Sequence, residues 1–317
     1  MVELKNATYE SIRGFNYQPS NGMNGLQVWE RFTPQLYRIE LSRGKTFFPG
    51  INTVRIWLSM DAWLSDRERY LSNLATAAGI LAELELRAIP VVFNGWFGLP
   101  SFGGLVPELI VPHKNRTVYR QYVRDVVAAV MPQRDAILIW DLCNEPFNNA
   151  RDTGSRQLWG GFLLEMRDAV REVDNGALCT VGTQWAHDAA VQESGIAEWV
   201  DAFSLHPYFR TSWCSTPEAL QTSLDESIQV INRTGKPALV TECCWGSLED
   251  GERVESIKVS LRAYNERRLG FLPHLLHHTL VADGHRPEFG PIGPAGYMAF
   301  IEADGTLRTG HEVFNEF

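Results

Sequence analysis

No apolar run in this 317-residue chain approaches the roughly 20 residues that span a bilayer. The N-terminal stretch MVELKNATYESIRG lacks the apolar core of a signal peptide. A cytoplasmic location is therefore expected, although a leader removed ahead of residue 1 would leave the same sequence. Basic residues are not in excess: 29 Lys and Arg stand against 38 Asp and Glu, a formal net charge of −9. An acidic surface argues against nucleic acid or an anionic membrane as the main partner. Cysteine is scarce and odd in number: Cys143, Cys179, Cys214, Cys243 and Cys244. None has metal-site spacing, and the adjacent Cys243 and Cys244 could bridge only with strain, so reduced thiols are expected. There is no internal repeat, low-complexity segment or linker. With 44% hydrophobic and 21% charged residues, one soluble domain over residues 1–317 is the simplest organisation.

Short apolar runs alternate with helix-like segments along the whole length. Strands are expected at Ser11–Asn16, Asn52–Ser59, Ile89–Asn94, Ile137–Asn144, Leu178–Gly182, Asp201–His206, Pro237–Thr241 and Gly270–Thr279. Helical patterns fall mostly between them, including one that Asp66 caps and that runs to about Ala88. Eight such units predict a single (β/α)₈ barrel, with its active site at the C-terminal ends of the strands. The tail after Val281 reads as a Gly/Pro-rich loop and a hairpin around Asp304-Gly305. The long loop Gly95–His113 reads as a cleft wall or lid.

Two of the apolar runs end in glutamate. ILIWDLCNEP delivers Asn144-Glu145-Pro146, and about a hundred residues later the run Pro237–Thr241 delivers Glu242. A carboxyl at the end of a buried strand sits on rigid scaffold where water is scarce, a setting in which it can serve as an acid near neutral pH. Pro146 is expected to hold Glu145 in an extended backbone. Strand alternation then places Asp141 and Cys143 on the side of Glu145, Ala238 and Val240 on the side of Glu242, and Tyr208 on the side of His206. Arg55 in TVRIW is a charge among apolar neighbours and needs a partner, for which Asp141 is one candidate. Taken singly, a strand-end Glu is more often a surface or capping residue, and His206 fits a core histidine and Tyr208 a rim aromatic. The pair of Glu residues with Asn144 and Arg55 is what points to chemistry.

NEP, HPY and TE in this order and spacing resemble the retaining glycoside hydrolases of clan A, and most closely glycoside hydrolase family 5, the cellulase-like enzymes. The resemblance covers nearly the whole chain. It implies a retaining β-glycosidase with Glu145 as general acid/base and Glu242 as nucleophile, working by double displacement without a cofactor or metal. It further implies that Asn144 binds the sugar 2-hydroxyl, that Arg55 holds the nucleophile ionised, and that His206 and Tyr208 complete the reacting subsite. The chemistry needs one carboxyl protonated, the other ionised, and about 5–5.5 Å between them.

Aromatic residues supply candidate platforms for the apolar face of a sugar. Trp245 follows the nucleophile segment, Trp96 follows Asn94 beyond the third strand, and Trp57 shares the Arg55 face. Asn94 is taken as a substrate-binding candidate with them. The family usually places a Trp near the end of strand eight, but here FLPHLLHHTL stands there. His277 or His278 is expected to take its place. The expected substrate is a short oligosaccharide or small glycoside. A sugar-binding barrel without turnover and an endo-acting β-glucanase or mannanase are the alternatives. A Schiff-base aldolase is disfavoured because no Lys lies in the eight strands. The sugar, the linkage, exo or endo action and the oligomeric state are left open.

Overall fold

The computed structural model describes residues 1–96, 104–281 and 283–317. Eight strands pair in sequence order: β1 (Gly14–Tyr17), β2 (Thr53–Trp57), β3 (Arg87–Asn94), β4 (Trp140–Asn144), β5 (Cys179–Thr183), β6 (Phe203–Leu205), β7 (Ala238–Val240) and β8 (Gly270–Phe271). Every neighbouring pair is parallel. The ring closes where Arg13 bridges Phe271 in parallel and the Phe271 N–H donates to Ile12 O at 3.1 Å. This is the (β/α)₈ barrel that the eight alternating runs predict.

The helices wrap the outside because their buried stripes face the strands. Helix Arg67–Glu83 begins at Asp66, whose carboxylate accepts the Arg69 N–H at 3.1 Å. It ends at Glu83 rather than near Ala88, since the chain from Arg87 onward is committed to β3. Between helices and strands lies one large apolar cluster. Inside the barrel, Ile12, Ile89, Ile139, Ala202, Leu239 and Leu272 form an apolar floor. Above that floor the interior turns polar, with Asn16, Arg55, Asp141, Ser204, His206 and Thr241 all buried. A buried polar layer is tolerable only if it is hydrogen-bonded throughout, and its position at the strand C-termini marks the working end.

Strand eight is shorter than its apolar run suggests. Pro273 has no N–H to give to a ladder, and pairing with β7 stops there. The chain from Leu275 to His278 pairs with the tail instead: His278 N–H donates to Ile301 O at 2.8 Å, and Ile301 N–H to Leu276 O at 3.0 Å. The tail makes the expected hairpin, with Glu302 N–H to Thr306 O at 2.9 Å and Gly305 at φ 85°. Phe314 then packs on Phe15, Phe48, Phe271 and Phe300. In the loop expected at Gly95–His113, Pro107–Ile110 is a short helix, and residues 97–103 lie outside the described residues. No helix among the described residues is long and apolar enough to cross a membrane.

Candidate active site

The site is organised around a buried cation. Arg55, mid-strand in β2, is wholly buried and uses all five of its N–H donors. Nε and Nη2 reach Asp141 Oδ2 at 3.0 and 2.7 Å, and Nη2 also reaches Asn144 Oδ1 at 3.0 Å. Nη1 reaches Asn16 Oδ1 at 2.9 Å and pairs with Glu242 Oε1. Asp141 completes its own set by accepting the Gly182 N–H at 3.0 Å. Arg55 therefore pairs with Asp141 and with Glu242 at once, and its guanidinium lies 4.8 Å from the Trp57 ring centroid.

Simple strand alternation does not deliver the two carboxyls. Asp141 and Asn144 both face Arg55 although they are three residues apart, because the β4–β5 register shifts between them. That irregularity sends Leu142 and Cys143 outward together, into the cluster under the helices. Cys143 therefore does not share the Asp141 side. Glu145 is not extended either: it is left-handed, at φ 45° and ψ 55°. The irregular strand and this turn together aim its side chain inward, a non-glycine strain of the kind that gathers at functional sites. On β7, Leu239 faces the barrel floor and Thr241 the polar layer, while Ala238 and Val240 pack outward. Glu242 reaches Arg55 only because the chain has left the ladder after Val240. Along β6, by contrast, alternation holds from Ala202 through Ser204 and His206 to Tyr208.

One oxygen of Glu145 and one of Glu242 lie within 4.8 Å of each other, and His206 sits against both. His206 Nδ1 is 2.9 Å from Glu145 Oε1 and 3.7 Å from Glu242 Oε2, with Nε2 3.0 Å from Thr241 Oγ1. Gly182 makes room for this ring: a Cβ there would fall 2.8 Å from it. The second Glu145 oxygen accepts from Asn148 Nδ2 at 2.7 Å. The second Glu242 oxygen accepts the Tyr208 hydroxyl at 2.9 Å. Burial by itself would raise the Glu242 carboxyl, but His206, Arg55, His274 and the Tyr208 hydroxyl outweigh it and bring it down to about 2. Burial and the same carboxylate push the Tyr208 phenol well above its ordinary value, so it remains a donor.

These groups open into a cavity of about 460 Å³, lined also by Asn94, Asn144, Trp57, Trp96 and Trp245. Asn144 Nδ2 donates to Asn94 Oδ1 at 3.1 Å, joining strands three and four at the mouth. Trp245 stands edge-on to Tyr208 at 5.3 Å and to Trp213 at 5.9 Å. His277 and His278 do not line the cavity. His277 is buried between Arg43 Nη1, at 2.8 Å, and Glu40, and His278 rests on Phe289. Both belong to the segment that Pro273 diverts towards the tail. The histidine at the mouth is His274, one residue after that proline. Gln184, Trp213 and Asp283 also line the cavity, and sequence reasoning singled out neither Gln184 nor Trp213. Trp213 and Asp283 lie in βα loops, where only position after a strand signals a role. Burial pushes the Asp283 carboxyl up to about 6.

Glu145, His206 and Glu242 are the only three ligand-type side chains among the described residues that converge closely enough to hold a metal ion. Arg55 already supplies the positive charge at Glu242, and the Tyr208 O–H occupies its second oxygen. That donor set suits a carboxylate poised beside a neutral substrate better than a dication.

The sequence matches the family model described as cellulase (glycosyl hydrolase family 5) over residues 48–272, a span that holds both Glu145 and Glu242. No curated protein matches it. Among solved structures, GH5_18 from Streptomyces cattleya in complex with GlcNAc is similar at TM-score 0.75 and 16% identity, covering 96% of this chain and 78% of that one. The exo-beta-1,4-mannosidase Op5Man5 from Opitutaceae bacterium strain TAV5 is similar at TM-score 0.73 and 18% identity; 96% of this chain is covered, and only 58% of that one. The endo-1,4-beta-D-mannanase of Thermotoga petrophila RKU-1 is similar at TM-score 0.69 and 17% identity, covering 96% and 98%. At these identities the structures speak for the shared barrel alone.

Proposed function

We propose, from the premise that the chain belongs to glycosyl hydrolase family 5 and is a retaining O-glycosyl hydrolase, that Glu242 is its nucleophile and Glu145 its acid/base. We further propose that it removes the terminal sugar of a small β-glycoside or short oligosaccharide. The observation that carries the assignment is the unequal partnering of two carboxyls whose oxygens come within 4.8 Å. That spacing fits the roughly 5–5.5 Å of a retaining pair and is short of the roughly 6.5–9.5 Å that leaves room for an inverting water. Arg55 and Tyr208 hold charge on Glu242, which attacks the anomeric carbon. Glu145, held by Asn148 and His206, gives its proton to the leaving oxygen. It then takes a proton from the water that displaces Glu242 from the sugar. Asn144 binds the 2-hydroxyl, and Trp245 offers an indole to the sugar's C–H face.

The preference for a small substrate rests on the cavity. At about 460 Å³ it is at the modest end of ligand sites, and Val281, Pro294, Ala295 and Met298 of the tail wall one side. All five cysteines are free and buried, which supports residence in a reducing compartment. A panel of aryl β-glycosides (glucoside, mannoside, galactoside, xyloside, fucoside, arabinoside), read by released phenolate, tests the activity. A 2-deoxy-2-fluoro glycoside followed by peptide mapping should label Glu242; a label on Glu145 reverses the roles. Rapid viscosity loss of a soluble β-glucan or mannan without early monosaccharide release rejects the terminal-sugar reading.

A further inference from the structure

Of the eight histidines, His274 is the one that both lines the cavity and keeps a buried ring nitrogen unpartnered among the described residues. Its backbone is pinned: the N–H donates to Cys243 O at 3.1 Å, and the carbonyl accepts from Arg253 Nη2 at 2.7 Å. Arg253 is wholly buried and ties the same frame together. It also donates to Trp245 O at 2.6 Å and Met298 O at 2.8 Å, and it holds the Cys244 carbonyl. The His274 side chain is thus carried on a rigid support at the cavity wall beside Glu242.

Its ring is left over. Nδ1 is buried and has no hydrogen-bond partner among the described residues. His278 Nδ1 and His311 Nε2 are also unpartnered, but those rings rest on Phe289 and Phe300 and neither lines the cavity. A buried polar nitrogen without a partner is destabilising, and one on a cavity wall can be answered by water or by a bound ligand. Burial, reinforced by Arg55, Arg253 and His206 and opposed by Glu242, pulls the imidazole down to about 4, so at ordinary pH it is neutral. A neutral imidazole offers one N–H and one acceptor nitrogen, and a sugar hydroxyl can answer either.

We infer that His274 is a specificity-determining residue that hydrogen-bonds a hydroxyl of the sugar at the reaction centre. The inference rests on the glycosidase reading above and extends it: the site selects a neutral glycoside carrying a hydroxyl at one defined ring position. A flat apolar ring in its place would give the sugar a face to lie on but no reward for that hydroxyl.

The test is a double-mutant cycle between His274 and the substrate. Aryl glycosides of the preferred sugar, intact and singly deoxygenated around the ring, are compared on the wild type, His274→Phe and His274→Leu. For one position, deoxygenation should cost the wild type on the order of 10–100-fold in kcat/KM. The same deoxygenation should cost either variant less than about threefold, while the other positions lose equally in all three proteins. A purely structural role would lower every substrate alike. Two variants are used so that one failure to fold decides nothing. The same cycle is run in Kd by calorimetry with the methyl glycosides. Absence of turnover therefore overturns the glycosidase reading alone, whereas binding or turnover with no position-specific coupling overturns the role of His274.

Discussion

Replacing Tyr208 by Phe isolates one contribution to the charge on Glu242. The hydroxyl donates to Glu242 Oε2 at 2.9 Å, and both groups are buried. Phe keeps the ring and its edge-on contact with Trp245, and the Arg55 pair is untouched. A hydrogen bond to a charged group contributes about 1.5–3 kcal/mol, and about 1.4 kcal/mol corresponds to one pH unit. Removing the donor should therefore raise the Glu242 carboxyl by about 1–2 units above its value of about 2. The sign follows from the ionised form being favoured in the wild type: losing a donor to the carboxylate favours protonation. The acid limb of kcat/KM reports the free enzyme, so it should move from near pH 2 to about pH 3–4. The assay is hydrolysis of an aryl glycoside with a good leaving group, followed from about pH 2.5 to 6, with folding checked at each pH. A folded Tyr208→Phe enzyme that shows no acid limb between about pH 2.5 and 4 would refute the claim that this hydroxyl holds charge on Glu242.

Glu145→Ala should keep fast formation of the glycosyl-enzyme from a phenolate-leaving substrate but release it slowly, and azide should restore turnover as the β-glycosyl azide; an α-azide contradicts retention. Arg55→Met leaves the wholly buried Asp141 without its cation and should cost about 3–5 kcal/mol in chemical denaturation. Gly182→Ala puts a Cβ 2.8 Å from the His206 ring and should cost about 1–3 kcal/mol together with activity. Gly161→Ala, in helix Thr153–Val173 with nothing within 4 Å, should instead be neutral or stabilising. Melting temperature and activity should be unchanged by reductant, since all five thiols are free.

The parts legible in sequence were those written in local pattern. Apolar runs of strand length alternate with amphipathic segments, so the barrel and its strand order follow without any contact being known. Asn144-Glu145-Pro146, Thr241-Glu242 and His206-Pro207-Tyr208 each lie beside a strand end, so their arrival at one mouth follows from the barrel. Arg55 announced itself as a charge in an apolar strand that needed a partner.

What only the tertiary structure decided is how those side chains turn. Alternation assigns faces correctly along β6, whose ladder is regular, and fails at β4, where a register shift sends Leu142 and Cys143 outward together. A left-handed Glu145 before a proline is a conformation that local preference disfavours, and the surrounding hydrogen bonds impose it. The histidines show the same division. FLPHLLHHTL offers three of them with nothing local to rank them, and the choice falls to Pro273 and to a tail some 25 residues further on. Pro273 ends the ladder, and pairing with Ile301 carries His277 and His278 away from the mouth. His274 is left at the cavity wall because non-local backbone bonds hold it there. Local sequence determines which element forms, whereas the direction of a side chain at a strand end depends on long-range contacts that no window of residues contains.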